Sequence, residues 1–561
     1  MTALLLGPML RYVGPTEATI WVEVDRACEV EILGHRAPTF EVEGHHYALV
    51  YMTDLRPATR YEYTVLLDGV PVWPEASSGY PASVIHTFDA ETTLRIAFGS
   101  CRVAMPHEPP YTLTHAQDEE HGFELDALRA LACCMREQAE TQWPSALLMI
   151  GDQVYADEVS PAVRAFIRAR RDITQPPGDE IADFEEYTRL YRDAWSEPDV
   201  RWLLSTVPTA MIFDDHDVMD DWNISLAWLE EMRAEPWWHR HIVGGFMSYW
   251  IYQHLGNLSP RELHEDALFQ RAKAAEKGAE FTEVLREFAA TADQRPDSYR
   301  WSYYRDFGDV RLLVVDSRAG RMLGKGRRDM LDENEWRWIE AKAEGDFEHL
   351  LLGTSLPVLL GHGIHYLEAW NEAVCAGVWG GWFAKQGERI RRKLDLEHWS
   401  AFQTSFRRIV ALIQSIAAGE FGNAPATVTV LSGDVHHVYL ARAEFPGADI
   451  SSAVYQAVCS PFRNPLDARD ARIMRAGWSR IAGAVARTIA GLAGVGRPGV
   501  QWKLCHDEPW FDNQVAIMEL SGREATIRFE KCPPGDPAHP RLEEVFYSRL
   551  ARSQSGSKSH D

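Results

Sequence analysis

The chain has 561 residues, of which 46% are hydrophobic and 25% charged, so it has the composition of a globular protein with a sizeable core. Its formal charge of −25 disfavours binding to nucleic acids, whose phosphates it would repel. The 8 cysteines are sparse and form no C-x-x-C pair, which predicts reduced thiols. We find no basic leader segment and no apolar run of about eighteen residues, and we therefore expect a cytoplasmic protein without a membrane-spanning helix.

Residues 1–90 alternate apolar and polar side chains in short runs separated by turn residues. Clear examples are the runs at 18–24, 29–33, 46–52 and 61–67. This period of two predicts an N-terminal β-sandwich domain, which would be fibronectin type III-like or immunoglobulin-like. The stretch 54–63 resembles the tyrosine corner of fibronectin type III domains, and we assign it to packing.

Residues 91–550 are expected to form one larger α/β domain. Six apolar runs there end in small or polar residues, at 94–101, 146–152, 209–215, 310–316, 349–353 and 428–434. Such runs are typical of buried strands, and ligands of open α/β sheets collect at the carboxyl ends of strands. Helix-patterned insertions at about 160–205, 224–295 and 366–425 separate them. Residues 551–561 are low in complexity, and we expect a disordered tail there.

Residues 473–495 predict an amphipathic helix. Its apolar stripe consists of Trp478, Ile481, Val485, Ile489 and Leu492, with several arginines in or beside it. A basic amphipathic helix can lie on a membrane surface. Docking of such a helix on its own protein is the commoner arrangement, and we favour it here.

Potential metal ligands follow two of the apolar runs. Asp152 ends one run, where a carboxylate can bridge two metal ions, and Tyr155 follows three residues later. A phenolate ligand favours ferric iron. Asp215 belongs to a group of five carboxylates within eight residues, which repel one another unless cations compensate them. His216, in the same group, is a candidate general acid that would protonate a leaving oxygen.

A third run adds further candidates. Asp434 and His436 are two residues apart in an extended segment, so their side chains point to the same side. A buried cysteine is ordinarily inert, but in this company Cys101 becomes a candidate thiolate ligand.

Five short motifs at the ends of these runs occur in a fixed order. They are GSC at 99–101, GDQVY at 151–155, DDHD at 214–217, VDSR at 315–318 and SGDVH at 432–436. Together they resemble the alkaline phosphatase D (PhoD-like) metallophosphatase family, which belongs to the calcineurin-like metallophosphoesterase superfamily. The resemblance covers about residues 94 to 530.

The resemblance implies a four-layer α/β/β/α metallophosphoesterase sandwich with a multinuclear metal site at its strand tips. It implies metal-binding roles for Cys101, Asp152, Tyr155, Asp215, Asp434 and His436. His216 would be the catalytic proton donor and Arg318 would bind the substrate. The implied ions are Fe³⁺ and Ca²⁺, with Mg²⁺ or Mn²⁺ in place of calcium in the cytosol. The implied reaction is attack of a metal-bound hydroxide on phosphorus.

We therefore predict a metal-dependent phosphoesterase acting on small-molecule phosphate mono- or diesters. Two features depart from the family: Asp217 stands where its acidic block usually ends in glutamate, and the twin-arginine signal of secreted members is missing. Two alternatives stay open. One is a non-catalytic binding protein stabilised by metal, and the other is a phosphodiesterase acting on lipid phosphoesters at a membrane surface.

Overall fold

The N-terminal region is built from short strands, as its alternating pattern predicts. A computed structural model describes residues 2–75, 78–89, 92–275 and 278–552. The first ten strands are β1 (Leu4–Val13), β2 (Ala18–Val24), β3 (Glu29–Ile32), β4 (His35–Pro38), β5 (Phe40–Val42), β6 (His45–Met52), β7 (Arg60–Glu62), β8 (Val65–Leu67), β9 (Val70–Trp73) and β10 (Val84–His86). Among the described residues they pair only with one another, in the orders β1-β2-β6-β5, β4-β3-β8-β9 and β10-β7. The all-β N-terminal region is thus confirmed.

The predicted strand at 61–67 is divided between two sheets. β7 pairs with β10, whereas β8 pairs with β3 and β9. The buried Tyr63 lies at the change of sheet and donates a hydrogen bond of 2.6 Å to the carbonyl oxygen of Ser205. Within the tyrosine-corner stretch, the Arg56 N–H donates to the Tyr61 hydroxyl at 2.8 Å.

The rest of the chain combines strands and helices. Its strands are β11 (Leu94–Gly99), β12 (Ala146–Ile150), β13 (Thr209–Ile212), β14 (Tyr303–Phe307), β15 (Val310–Val314), β16 (Met322–Gly324), β17 (Arg327–Asp329), β18 (His349–Gly353), β19 (Thr427–Ser432), β20 (Tyr439–Glu444), β21 (Ala453–Val458), β22 (Gln501–Leu504), β23 (Gln514–Ser521), β24 (Glu524–Lys531) and β25 (Glu543–Ala551). Its helices are α1 (Ala127–Glu137), α2 (Pro161–Arg170), α3 (Phe184–Trp195), α4 (Pro198–Thr206), α5 (Leu226–Met232), α6 (Trp238–Ser248), α7 (Pro260–Glu265), α8 (Ala267–Ala274), α9 (Gly278–Gln294), α10 (Glu333–Ala343), α11 (His362–Cys375), α12 (Gly381–Lys393), α13 (Gln403–Ala418), α14 (Ala468–Gly477) and α15 (Arg480–Leu492).

Two large mixed sheets carry the six predicted apolar runs. The first has the order β13-β12-β11-β23-β24-β25 and the second β14-β15-β18-β19-β21-β20-β22. β11, β12 and β13 are parallel neighbours in the first sheet, and β15, β18 and β19 are parallel neighbours in the second. The predicted mixed α/β class is confirmed, and the predicted insertions are helical.

Apolar packing joins these sheets to each other and to the helices. Ile96 of β11 and Leu312 of β15 belong to one buried cluster, to which both sheets contribute. The adjacent residues Ala97 and Leu313 belong to two other clusters, which include residues of α1 and α10 respectively. Alternation along each strand therefore buries both of its faces.

The predicted amphipathic helix consists of α14 and α15, and α15 packs on α11. The contact uses small residues, since a Cβ added at Gly483 would lie 2.8 Å from His362 Cβ. Ile481 and Leu492 of the predicted stripe are exposed instead. The helix docks on its own protein, and Trp478 of the predicted stripe packs against a buried cluster, but the other four residues of the stripe are exposed.

No helix in the described part of the chain is long and apolar enough to cross a membrane. Of the predicted disordered tail, residues 553–561 lie outside the described residues, and Ala551 is the last residue of β25.

Candidate metal centre

Strained backbone conformations mark the strand tips. Cys101, Asp152, Asp434 and His436 have φ angles of 55°, 54°, 68° and 47°, in the left-handed region. These are four of the six predicted metal ligands. A non-glycine residue in this region costs on the order of 1–3 kcal/mol and persists only where the surrounding structure holds it. Such strain clusters at functional sites, which makes this edge of the sheets the candidate site.

The tips of β11, β12 and β19 approach one another closely. The Asp434 N–H donates to Ser100 Oγ at 3.0 Å. A Cβ at Gly433 would lie 2.1 Å from Ser100 Oγ and 2.9 Å from the carbonyl oxygen of Ile150. Glycine is therefore required at position 433, because any side chain would push the tips of the two sheets apart.

Asp217 fixes the loops that follow β12 and β13. Its carboxylate accepts five hydrogen bonds of 2.9 to 3.2 Å, from the N–H groups of Asp152, Gln153, Val154 and Asp214 and from Gln253 Nε2. The aspartate side chain is long enough to reach the backbone of both loops directly.

Buried carboxylates converge between these tips. Asp152, Asp214 and Asp215 each offer an oxygen atom within 4.8 Å of the others, and Asp215 belongs to a second such group with Glu397 and Asp434. Asp152 Oδ1 and Asp214 Oδ2 are buried and have no hydrogen-bond partner among the described residues. An unpartnered buried carboxylate oxygen is costly, so these atoms favour a bound cation.

Cys101 and Tyr155 border the carboxylates. Cys101 Sγ lies 3.3 Å from Asp152 Oδ2 and 3.6 Å from the carbonyl oxygen of Asp434. Tyr155 packs in the same small cluster as Cys101, and its hydroxyl accepts a hydrogen bond of 3.2 Å from Asn464 Nδ2. Cys101 Sγ is absent from the groups of converging ligand atoms found among the described residues.

His436 lies on the loop after β19. Its N–H donates to Ser460 Oγ at 3.2 Å. Its imidazole makes no hydrogen bond to any residue that the structure describes, so both ring nitrogens are available to a ligand. His436 is absent from the groups of converging ligand atoms found among the described residues.

The electrostatics of the site favour cation binding. Burial raises the pKa of Asp152 well above the ordinary value for aspartate, and the nearby Asp214 raises it further. Burial likewise raises the pKa of Asp215, with Glu397 adding to the effect. A bound cation would lower both pKa values, because it stabilises the ionised carboxylates. Thiol, phenol, imidazole and carboxylate donors together suit iron and a harder divalent ion, so the residues present fit a metal site.

Arg318, predicted to bind substrate, is fully buried among carboxylates. Its Nη2 donates to Glu397 Oε1 at 2.9 Å and lies 3.2 Å from Asp215 Oδ1, and its Nε donates to Asp214. Its Nη1 donates to the carbonyl oxygen of Trp222 at 3.0 Å. Protein groups therefore accept hydrogen bonds from all three guanidinium nitrogens, and contact of Arg318 with a substrate stays a prediction.

His216, the predicted proton donor, is held by a carboxylate and an aromatic ring. Its Nδ1 lies 2.8 Å from Asp157 Oδ2, and its ring stacks on Tyr155 with centroids 4.4 Å apart. The Nε2 atom lies 3.8 Å from Oδ1 of the exposed Asp220. This arrangement fixes the imidazole, which offers a ring nitrogen within 4.8 Å of carboxylate oxygens of Asp215 and Asp220.

Sequence reasoning missed a group of residues in the third helical insertion. His398 Nε2 lies 2.9 Å from Asp434 Oδ2, and its Nδ1 lies 2.6 Å from Glu368 Oε1. Glu397 pairs with Arg318, as described above. These residues do not follow strands, so a search of strand tips passes over them. The run DLEH at 395–398 is the signal that could have found them.

Residues 131–249 match the model of the PhoD-like phosphatases, and residues 1–85 match a domain of unknown function, DUF7800. No curated protein matches the chain.

Two solved structures are similar to this one. The structure of PhoD has a TM-score of 0.59 at 12% identity, over 98% of this chain and 91% of that chain. Purple acid phosphatase PPD1 from yellow lupin (Lupinus luteus) seeds has a TM-score of 0.48 at 10% identity, over 97% of this chain and 74% of that chain. The chain thus contains a PhoD-like phosphatase region and shares the fold of PhoD, which confirms the resemblance inferred from its motifs.

Proposed function

We propose that this protein is a metal-dependent hydrolase of small phosphate mono- or diesters. The observation that carries the proposal is the set of buried carboxylates at the strand tips, where Asp152 and Asp214 present oxygen atoms without protein partners. The match to the PhoD-like phosphatases supports phosphoester chemistry for such a site.

Six side chains are proposed as the metal ligands, namely Cys101, Asp152, Tyr155, Asp215, Asp434 and His436. The thiol and phenol favour Fe³⁺ on their side of the site, and the carboxylates favour Ca²⁺, Mg²⁺ or Mn²⁺. Bound ions would supply the Lewis acidity that makes water reactive at neutral pH and neutralises phosphoryl oxygens.

The chain's own residues would supply proton transfer and positioning. His216 would hold a proton at Nε2 for the leaving oxygen, while Asp157 at Nδ1 stabilises the charged ring. Arg318 would act through Asp214 and Asp215, whose carboxylates it contacts, and thereby keep them in place.

Hydrolysis of p-nitrophenyl phosphate and of bis(p-nitrophenyl) phosphate tests the proposal. Asp152→Asn and Asp434→Asn should abolish turnover of whichever ester the wild type accepts. Asp332→Asn is the matched control, because Asp332 is also buried but caps α10. A wild type inactive on both esters, or full activity in Asp152→Asn, would contradict the proposal, and the first result would favour a binding protein.

The role of His216 is tested separately by the choice of leaving group. An alkyl phosphate needs a proton on its leaving oxygen, whereas p-nitrophenolate leaves without one. His216→Gln should therefore slow the alkyl ester by about 10²–10⁴-fold and p-nitrophenyl phosphate much less. Equal losses on both esters would exclude His216 as the proton donor.

We propose a β-sandwich domain at 1–90 and a catalytic domain at 91–550, supported by the separate pairing of β1 to β10. We propose a four-layer α/β/β/α arrangement for the catalytic domain, supported by the three apolar clusters described above. A cytoplasmic location stays a prediction.

A further inference from the structure

One face of α15 exposes a row of branched aliphatic side chains. Ile481 is 79% exposed, Leu492 74%, Val485 54% and Ile489 40%. Their spacing of four, four and three residues places them on one line of the helix, away from its contact with α11. We call these four residues the α15 stripe. A contiguous row of large exposed aliphatic residues marks an interaction surface.

The α15 stripe lies in a basic part of an acidic protein. Residues 471–506 contain six lysines and arginines and no aspartate or glutamate, whereas the whole chain carries −25. Arg480, Arg487 and Arg497 make no ion pair or hydrogen bond with any described residue. Their charges are therefore available to an anionic partner, which the remainder of the chain would repel.

A cavity of about 550 Å³ lies next to α15, between α11 and the segment leading into β22. The same three arginines line it, together with His362 and Tyr366, and no carboxylate is among its lining residues. The planar guanidinium group matches the geometry of phosphate oxygens. The cavity is thus suited to a phosphate group.

We propose that this face of the protein docks on an anionic lipid bilayer. The α15 stripe would enter the boundary between head groups and acyl chains, and the arginines would contact lipid phosphates. A bilayer offers an apolar layer directly beneath a plane of negative charge, which matches both features of the surface. A symmetric dimer through the stripe would instead bring two basic segments together. The inference does not depend on the catalytic proposal.

Co-sedimentation of the full chain with vesicles tests this docking. Wild-type protein should bind vesicles of phosphatidylcholine with about 30% phosphatidylglycerol and should not bind pure phosphatidylcholine. Arg480→Gln/Arg487→Gln should weaken binding by about 30-fold, since each basic residue at such a surface contributes about fivefold. Ile481→Ser/Leu492→Ser should weaken it by about tenfold or more, because burial of aliphatic area is lost.

Matched controls come from the exposed strand β25. Arg549→Gln and Tyr547→Ser alter an exposed arginine and an exposed apolar residue elsewhere, and both should bind as the wild type does. Thermal unfolding verifies that every variant is folded, which is expected because all the altered side chains are exposed.

Three results would overturn the docking proposal. One is equal binding to neutral and anionic vesicles, and another is no effect of either double variant. The third is failure to bind vesicles. In that case, binding of inorganic phosphate that depends on Arg480 and Arg487 would identify a small-anion site, and self-association that depends on the α15 stripe would identify a protein interface.

Discussion

Replacement of Asp217 by asparagine tests how the strand tips are held. The change keeps the shape of the side chain and converts one acceptor oxygen into a donor. Oδ2 accepts from the Asp152 and Asp214 N–H groups, and Oδ1 accepts the other three hydrogen bonds. Whichever oxygen is replaced, at least two buried N–H groups lose their acceptor.

The expected decrease in the free energy of unfolding follows from the number of buried N–H groups that lose their acceptor. A buried donor left without a partner costs about 1–3 kcal/mol, so two of them cost about 2–6 kcal/mol. Native domains are stable by about 5–15 kcal/mol, so the loss is a large fraction of the total. The strained φ of Asp152 should relax as well, and metal binding should weaken with it.

Urea unfolding followed by circular dichroism measures the change in the free energy of unfolding. Asp332→Asn is again the control, because both backbone N–H groups that Asp332 caps donate to its Oδ1, which asparagine retains. The free energy of unfolding of Asp332→Asn should decrease by about 1 kcal/mol or less. If Asp217→Asn were as stable as this control, the assignment of Asp217 as the organiser of the two loops would be wrong.

Three further predictions concern stability, each measured by urea unfolding. Arg318→Met should lower the free energy of unfolding by about 3–5 kcal/mol, because it leaves the buried carboxylates of Asp214 and Glu397 without the guanidinium that pairs with them. A decrease below about 1 kcal/mol would contradict this. Gly433→Ala should destabilise the fold through its clash with the tip of β11, and wild-type stability would refute that close approach. Burial opposes protonation of His45, but hydrogen bonds that its ring donates to Glu185 and Glu23 outweigh this effect and raise its pKa to about 9. The stabilisation that protonated His45 contributes should be complete below about pH 6.5 and vanish as the pH rises through about 9. His45→Gln should remove this pH dependence of the free energy of unfolding. The charged groups around His45 are Glu23, Glu185 and Arg192.

Strands and their polar tips could be predicted from the sequence because a buried strand requires a run of apolar residues. A strand covered on both faces is a continuous apolar run, and the residue after it lies at the carboxyl end of the strand, where ligands bind. Asp152, Asp215 and Asp434 were predicted on that basis, and the structure brings them together. The strand at 61–67 was predicted as one element because alternation does not reveal a change of sheet.

Other features depend on contacts distant in sequence. Glu397 and His398 reach the site from a helical insertion, and although the run DLEH contains them, nothing in that run indicates that they approach Arg318 and Asp434. The burial of Arg318 likewise depends on three carboxylates that come from two segments of the chain. For α15, the periodicity of the stripe was evident, but small residues such as Gly483 decided which face packs.

Elemental analysis of the purified protein tests whether side chains from separate strand tips hold metal ions together. We expect iron and a second metal bound in near-stoichiometric amounts to the wild type and to Asp332→Asn, with most of this metal lost in Asp152→Asn. Equal metal content in Asp152→Asn and the wild type, or a metal-free wild type that hydrolyses phosphate esters at full rate after chelation, would contradict it.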